Sequence, residues 1–216
     1  MSAKTGEQQQ LSQQDAMRLR DCVAGGGVAV LPTDTVYGVC CDPDDEQAAR
    51  RLYALKGRPA ARPAAVMFFA LEPALELLGD LHPDESAALQ ALLPGPVTAL
   101  LANPAARFAP ACRTDPATLG LRVPRLPESL AALGELTLGV MQTSANISGE
   151  PDARTLGQIP ASLREGADCV LDGGELPGTP STVVDLRDYA EHRRWHVLRE
   201  GAMAREAVRA ALTSLD

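Results

Sequence analysis

The chain has 216 residues, of which 45% are hydrophobic but only 3% aromatic, and its formal net charge at pH 7 is -8. This length and composition fit one large domain with a core built mainly from aliphatic side chains. The acidic balance argues against a broad surface for binding nucleic acid, although it leaves room for a local basic pocket. No run of about 18 apolar residues is present, so no membrane span is expected.

The five cysteines are an odd number, and their spacing contains neither a CxxC pair nor a Cys/His arrangement typical of zinc sites. We therefore expect reduced thiols, a cytoplasmic location and no metal held by protein side chains alone.

The chain begins with a polar, glutamine-rich stretch, and we predict a disordered lead-in over residues 1–11 followed by a single domain over residues 12–216. Ser12 and Asp15 have the spacing of a capping box, which predicts the start of the first helix. Three consecutive glycines at residues 25–27 end that helix.

Short apolar runs bounded by turn residues predict strands at residues 28–31, 64–70, 97–102, 118–123, 140–143, 169–171, 182–186 and 195–198. Apolar residues at helical spacing predict further helices at residues 44–55, 72–78, 83–93, 155–164 and 203–212. Residues 33–38 are predicted as a polar loop. Strands and helices alternate irregularly, and some connections are too short for helical crossovers, which indicates an α/β fold with a mixed, parallel and antiparallel sheet.

The segment Lys56-Gly57-Arg58 holds one of only two lysines in a chain that otherwise uses arginine. The other, Lys4, lies in the predicted lead-in. A lysine is a compact point charge and an arginine a planar fork, so this pair at a Gly-Pro break is typical of a polyphosphate clamp. A basic helix C-terminus favoured by the helix dipole explains the same residues equally well.

Four polar clusters lie at the ends of predicted strands: residues 32–38, 56–58, 144–149 and 181–185. Ligand sites collect at strand ends in α/β sheets, although Ser and Thr at such junctions are also ordinary turn formers. The sequence contains no P-loop motif, and its glycine triplet stands in the wrong order for a dinucleotide fingerprint.

Seven segments occur in the order PTDTVYG, LKGRP, LPGPVTALL, TLGLRVP, TSANISG, STVVD and LREGA. Together they resemble the YrdC-like family of threonylcarbamoyl-AMP synthases, over about residues 12–205. The most specific element is the Lys-x-Arg pair of Lys56 and Arg58, followed later by the Ser-x-Asn of Ser144 and Asn146.

The resemblance implies a twisted mixed sheet with flanking helices around a concave, basic cavity. It implies a nucleotidyltransferase that condenses L-threonine, bicarbonate or CO2, and ATP into threonylcarbamoyl-AMP and releases pyrophosphate. The product feeds the threonylcarbamoyladenosine modification of tRNA, so a tRNA threonylcarbamoyl-transferase complex is the implied acceptor. Mg²⁺ is expected with the ATP phosphates, without a dedicated set of protein ligands.

The resemblance also implies roles for particular residues. The implied catalytic pair is Lys56 and Arg58. The implied ATP-binding residues are Lys56, Arg58, Arg62, Thr118, Asn146, Arg154 and Arg199. The implied L-threonine-binding residues are Thr35, Met67, Arg122, Ser144 and Ser181. Met67 stands where many members have a histidine, and a thioether cannot donate the hydrogen bond of an imidazole.

Structural explanations compete at Arg122 and at two further residues of the matching segments. Arg122 fits a solvent-facing strand residue, Asp185 fits a turn cap, and Tyr37 fits core packing as well as ligand contact. At the level of the whole chain, the alternatives are a non-catalytic RNA-binding or ribosome-maturation module with weak affinity for tRNA, and a carbamoyl-transferring enzyme that uses carbamoyl phosphate. A steep salt dependence of RNA affinity would favour the first.

Overall fold

The computed structural model describes residues 9–79 and 81–215. Residues 1–8 of the predicted lead-in lie outside the described residues. Leu11, near its end, is buried, and its amide donates to the carbonyl of Ser129 at 2.8 Å. Packing therefore begins before Ser12, which caps the first helix through a complete capping box with Asp15.

The strands are β1 (Ala29–Leu31), β2 (Gly38–Cys41), β3 (Ala65–Phe68), β4 (Val97–Ala102), β5 (Thr118–Arg122), β6 (Gly139–Ser144), β7 (Cys169–Val170), β8 (Thr182–Asp185) and β9 (His196–Arg199). The helices are α1 (Gln13–Ala24), α2 (Glu46–Lys56), α3 (Leu71–Leu78), α4 (Pro83–Leu92), α5 (Ala109–Cys112), α6 (Ala161–Gly166), α7 (Tyr189–His192) and α8 (Arg205–Thr213). None of the helices formed by the described residues is long and apolar enough to cross a membrane.

The strands form one nine-stranded sheet in the order β7-β1-β2-β6-β3-β5-β4-β8-β9. The pairs β1–β7, β3–β5 and β4–β8 are parallel, and the other neighbouring pairs are antiparallel. The predicted α/β fold with a mixed sheet and flanking helices is therefore confirmed.

Alternate residues of the strands pack into two different hydrophobic core clusters. On β3, Val66 and Phe68 belong to the larger cluster, and Met67 belongs to the smaller one, which includes residues of α1. Successive strand residues point to opposite faces, so the clusters cover the two faces of the sheet. Ala65, on the face of Met67, lines a cavity.

Helix α2 carries the Lys-x-Arg segment to this cavity. The Asp45 side chain caps its first turn by accepting from the amides of Gln47 and Ala48, and Gly57 ends it with φ 56°. A glycine tolerates that left-handed backbone without the steric cost that a Cβ brings. The helix end is thus set by local sequence.

Two predicted segments differ from the structure. Gly38, the last residue of the predicted polar loop, instead begins strand β2, which was not predicted, and pairs with Leu31 and Ser144. The helix predicted for residues 155–164 is instead a short 3-10 turn, Leu156–Gln158, followed by α6. Pro160 separates them because the residue before a proline is pushed into an extended conformation.

Candidate functional site

A cavity of about 330 Å³ opens on the face of the sheet that carries Ala65. Its volume lies in the range of small-molecule sites. Its polar lining consists of Thr35, Arg58, Thr98, Asp115, Thr118, Arg122, Gln142, Thr143, Ser144, Asp152, Ser181 and Arg199. The lining has three arginines and two aspartates, so the concavity is present but a uniformly basic character is not shown.

Arg122 anchors one end of the cavity. It is buried at the end of β5, and its Nη2 donates to Asp34 at 2.6 Å and to the Thr35 hydroxyl at 2.7 Å. Asp34 also accepts from the amide of Arg125 at 3.0 Å. The interpretation of Arg122 as a solvent-facing strand residue is therefore wrong.

The guanidinium of Arg122 is only partly satisfied. Its Nε and Nη1 are buried and have no hydrogen-bond partner among the described residues. Burial lowers the pKa of Arg122 and Asp34 opposes that shift, but an arginine stays protonated in proteins. Buried donors without partners are costly. The positive charge of Arg122 at this end of the cavity favours a ligand with anionic oxygens.

Lys56 lies behind the opposite wall, 1% exposed. Its Nζ donates to the Ser144 carbonyl and to Oδ1 of Asn146, the latter at 3.1 Å. The Ser144 hydroxyl donates to the same Oδ1 at 2.7 Å. Burial and the positive charge of Arg58 lower the pKa of Lys56 to about 8. The Lys-x-Arg and Ser-x-Asn segments are thus joined directly.

Arg58 lines the cavity from the loop of residues 57–63. Its Nη2 donates to the Pro63 carbonyl at 2.7 Å, and its guanidinium lies 5.7 Å from the centre of the Tyr53 ring. The Tyr53 hydroxyl donates to the carbonyl of Arg62. These contacts fasten the loop to α2.

The remaining wall combines hydroxyls with Arg199 of β9. The hydroxyls of Thr98 and Ser181 lie 2.9 Å apart, and Arg199 donates from Nη2 to the Ser181 carbonyl at 2.7 Å. The Thr118 hydroxyl accepts from Arg187 at 3.3 Å. Hydroxyls and an arginine from four different strands and loops therefore converge on one space.

Five of the residues implied by the resemblance do not line this cavity. Lys56 and Asn146 lie directly behind Ser144. Met67 is buried in the smaller core cluster. Arg62 is exposed, and Arg154 is paired with Glu175 at 2.8 Å. Binding roles for these residues remain predictions.

Sequence reasoning missed several lining residues, among them Thr98, Gln142 and Asp152. A signal existed for two of them: Thr98 pairs in register with Arg122, and Gln142 lies two residues before Ser144 on the same face of β6. Reading that signal requires the strand pairing, which the sequence alone does not supply.

The structural explanations of Tyr37 and Asp185 are confirmed. Tyr37 is fully buried, and its hydroxyl bonds to the Gly174 carbonyl at 2.8 Å and accepts from the Gly173 amide. Asp185 accepts from the Arg187 amide at 3.1 Å, as a turn cap does.

Residues 21–201 match the profile of the Sua5/YciO/YrdC family, whose description is telomere recombination. The chain belongs to the Sua5/YciO/YrdC family. Among its relatives, a threonylcarbamoyl-AMP synthase of Pyrococcus abyssi is 32% identical over 76% of this chain and 48% of its own length. A threonylcarbamoyl-AMP synthase of Chromohalobacter salexigens is 34% identical over 84% of this chain and 100% of its own length.

A solved structure of the same family, P. abyssi Sua5 complexed with L-threonine, superposes with a TM-score of 0.79 at 28% identity. The superposition covers 94% of this chain and 58% of that one. This chain therefore spans the whole length of the bacterial relative and about half the length of the archaeal one.

Proposed function

We propose that this member of the Sua5/YciO/YrdC family is an L-threonylcarbamoyladenylate synthase, a nucleotidyltransferase that supplies tRNA modification. The observation that carries the proposal is one cavity with a partly satisfied, buried Arg122 at one end and Arg58 beside buried Lys56 at the other. The names of the relatives and the L-threonine complex favour this catalytic function over the RNA-binding module.

In this proposal the amino-acid substrate lies at the Arg122 end. The carboxylate of L-threonine would accept from the guanidinium, whose charge is already balanced on one side by Asp34. Thr35, Ser144 and Ser181 would offer hydroxyls to the amine and the side chain. The amine, as free base, adds to CO2 and loses a proton to give a carbamate.

The triphosphate of ATP would lie at the Arg58 end of the cavity, which Thr118 and Arg199 also line. Asn146, Arg62 and Arg154 do not line the cavity, so their ATP-binding roles rest on the resemblance to the family alone. A carbamate oxygen attacks the α-phosphorus, the bond to the bridging oxygen breaks, and pyrophosphate leaves. Such a step is catalysed mainly by positioning and by neutralising phosphate charge. Lys56 and Arg58 are the cations for that task.

A magnesium ion is compatible with this arrangement. The described residues contain no cluster of three or more His, Cys, Asp or Glu that could hold a metal, while Asp115 and Asp152 line the cavity singly. Mg²⁺ would therefore be bound chiefly by the phosphates, with either carboxylate as an added ligand. When bound, it would neutralise charge on the triphosphate.

We further propose that the reaction takes place in the cytoplasm and that a tRNA threonylcarbamoyl-transferase complex accepts the product. All five cysteines are free thiols, which supports a reducing compartment.

The test is pyrophosphate release from ATP and bicarbonate, with and without L-threonine. We expect threonine-dependent release in the wild type and a fall of about 10- to 100-fold in Lys56→Ala, because the buried cation beside Arg58 that holds Ser144 and Asn146 is lost. Lys4→Ala, which removes the only other lysine, is the matched control. A wild type that releases no pyrophosphate with threonine, but binds RNA with a steep salt dependence, would establish the RNA-binding module instead.

A further inference from the structure

Gln142 of β6 is a largely buried residue whose amide is open to the cavity and has no partner among the described residues. The residue is 8% exposed and lines the cavity, and its side chain makes no hydrogen bond to any described residue. An amide that faces a cavity with no protein partner can donate through its nitrogen and accept through its oxygen. It is therefore free to hydrogen-bond a ligand that enters the cavity.

The position of this amide is fixed by a neighbouring glycine. A Cβ at Gly38 would collide with Nε2 of Gln142, so the amide lies against the backbone of β2. Gly38 is the register partner of Ser144, whereas Gln142 pairs with Cys40 and Ala65. The side chain therefore extends from its own register row towards the end of the loop that contains Thr35.

Arg122 reaches the same loop from the other side of β3. Its Nη2 lies 2.7 Å from the Thr35 hydroxyl, and the small side chain of Ala65 lines the cavity between the two strands. The loop thus meets a cation from β5 and a neutral amide from β6.

The two groups suit different parts of a 2-amino-3-hydroxy acid. The charged guanidinium suits the carboxylate. A hydroxyl both donates and accepts, and an amide that offers a donor and an acceptor side by side matches it better than a charged group does.

We propose that Gln142 hydrogen-bonds the β-hydroxyl of the amino-acid substrate and sets its preference for hydroxyl-bearing amino acids. The inference rests on the proposed function for the identity of the substrate. A site that hydrogen-bonds a ligand hydroxyl rejects the analogue that lacks it, because the buried polar group is then left unpaired.

The test compares dissociation constants for L-threonine and L-2-aminobutyrate, which lacks only the hydroxyl, by calorimetry. In Gln142→Met, a linear apolar replacement of similar shape, the preference for threonine should fall about ten-fold, mainly through weaker threonine binding. Gln90→Met is the matched control, because Gln90 is exposed on α4 and its side chain bonds only to Ser86. The control should keep the wild-type ratio.

An unchanged ratio in Gln142→Met, or equal weakening of both ligands, would overturn the assignment, as would a wild type that binds neither amino acid. If Gln142→Met lacks a cooperative thermal transition, Gln142→Ala is measured against the same criteria. The ratio of the two dissociation constants can be measured without turnover. If the wild type binds threonine but releases no pyrophosphate, the proposed synthase activity is wrong, and the ratio still tests the role of Gln142.

Discussion

The amino group of Lys56 is buried at the end of α2. Burial and Arg58 lower its pKa to about 8, while the Ser144 carbonyl and Asn146 replace part of the lost hydration. The helix C-terminus also favours a cation there. A polyphosphate beside this group would favour the protonated form, so anion binding and protonation of Lys56 are coupled.

This lowered pKa gives a pH dependence of stability with a definite sign. Lys56 titrates near 8 in the folded protein and near its ordinary value of 10.5 when unfolded. Between those values the unfolded state binds more protons, so the contribution of Lys56 makes the unfolding free energy rise with pH, by at most about 3 kcal/mol. In Lys56→Met that contribution is absent.

Denaturant unfolding of both proteins from about pH 8 to about pH 10 measures the difference. The wild type should gain stability relative to Lys56→Met across this interval, and the other titrating groups cancel in the comparison. Parallel curves for the two proteins would mean that Lys56 is as well solvated in the folded state as in the unfolded one.

The sequence could indicate a site residue where the residue types themselves are unusual. It could not do so where the place of a residue depends on strand pairing. A lone internal lysine followed by an arginine makes Lys56 and Arg58 candidates without a fold, although a basic helix C-terminus explains them equally well. Gln142 is an ordinary polar residue between Met141 and Thr143, and only the register with Ala65 and the glycine at Gly38 give it a place in the cavity.

At the scale of elements, α2 and the loop of residues 57–63 form one unit. Two guanidinium groups lie near the Tyr53 ring, that of Arg58 at 5.7 Å and that of Arg113 at 4.5 Å from its centre. Arg113 is held in turn by Glu46 at the first turn of α2. The loop that presents Arg58 to the cavity is therefore linked through Tyr53 and Arg113 to the first turn of α2.

Tyr53→Phe should loosen this loop without removing the stacked ring. It deletes the hydrogen bond from the Tyr53 hydroxyl to the Arg62 carbonyl and should lower the unfolding free energy by about 1 kcal/mol. Amide hydrogen exchange should accelerate in residues 57–63, while Pro83–Leu92 of α4 serves as the internal control. Unchanged exchange in the loop would show that its other contacts, among them the hydrogen bonds to the Pro63 and Ala61 carbonyls, hold it without the Tyr53 hydroxyl.

Helices and strands could be predicted from the sequence where nearby residues determine them, and not where distant residues do. Helix α2 was predictable because Asp45 and Gly57 act within a few residues of its ends. Strand β2 was not, because Gly-Val-Cys-Cys gains strand structure only by pairing with β1 and β6. Local pattern carries no record of those partners.

At the scale of the whole molecule, the single sheet joins its two cores. Strands β1, β2, β3 and β6 contribute alternate side chains to both clusters, so both cores depend on the same strands. Among the described strands, the edge strand β9 pairs with β8 alone, with an irregular register near Val183. Thr182, fully buried, reinforces it by accepting from the amides of Gly201 and Met203 at 2.9 and 3.1 Å.

We therefore expect the edge that carries Arg199 to unfold together with the rest of the sheet. Trp195, the only tryptophan, precedes β9 and packs against the larger cluster, so its fluorescence reports on that edge while far-UV circular dichroism reports on the whole chain. Coincident denaturant midpoints for the two signals indicate a single cooperative unit. An earlier fluorescence midpoint would mean that β9 detaches first. In that case the wall of the cavity formed by Arg199 and Ser181 would open while the remaining walls stay folded.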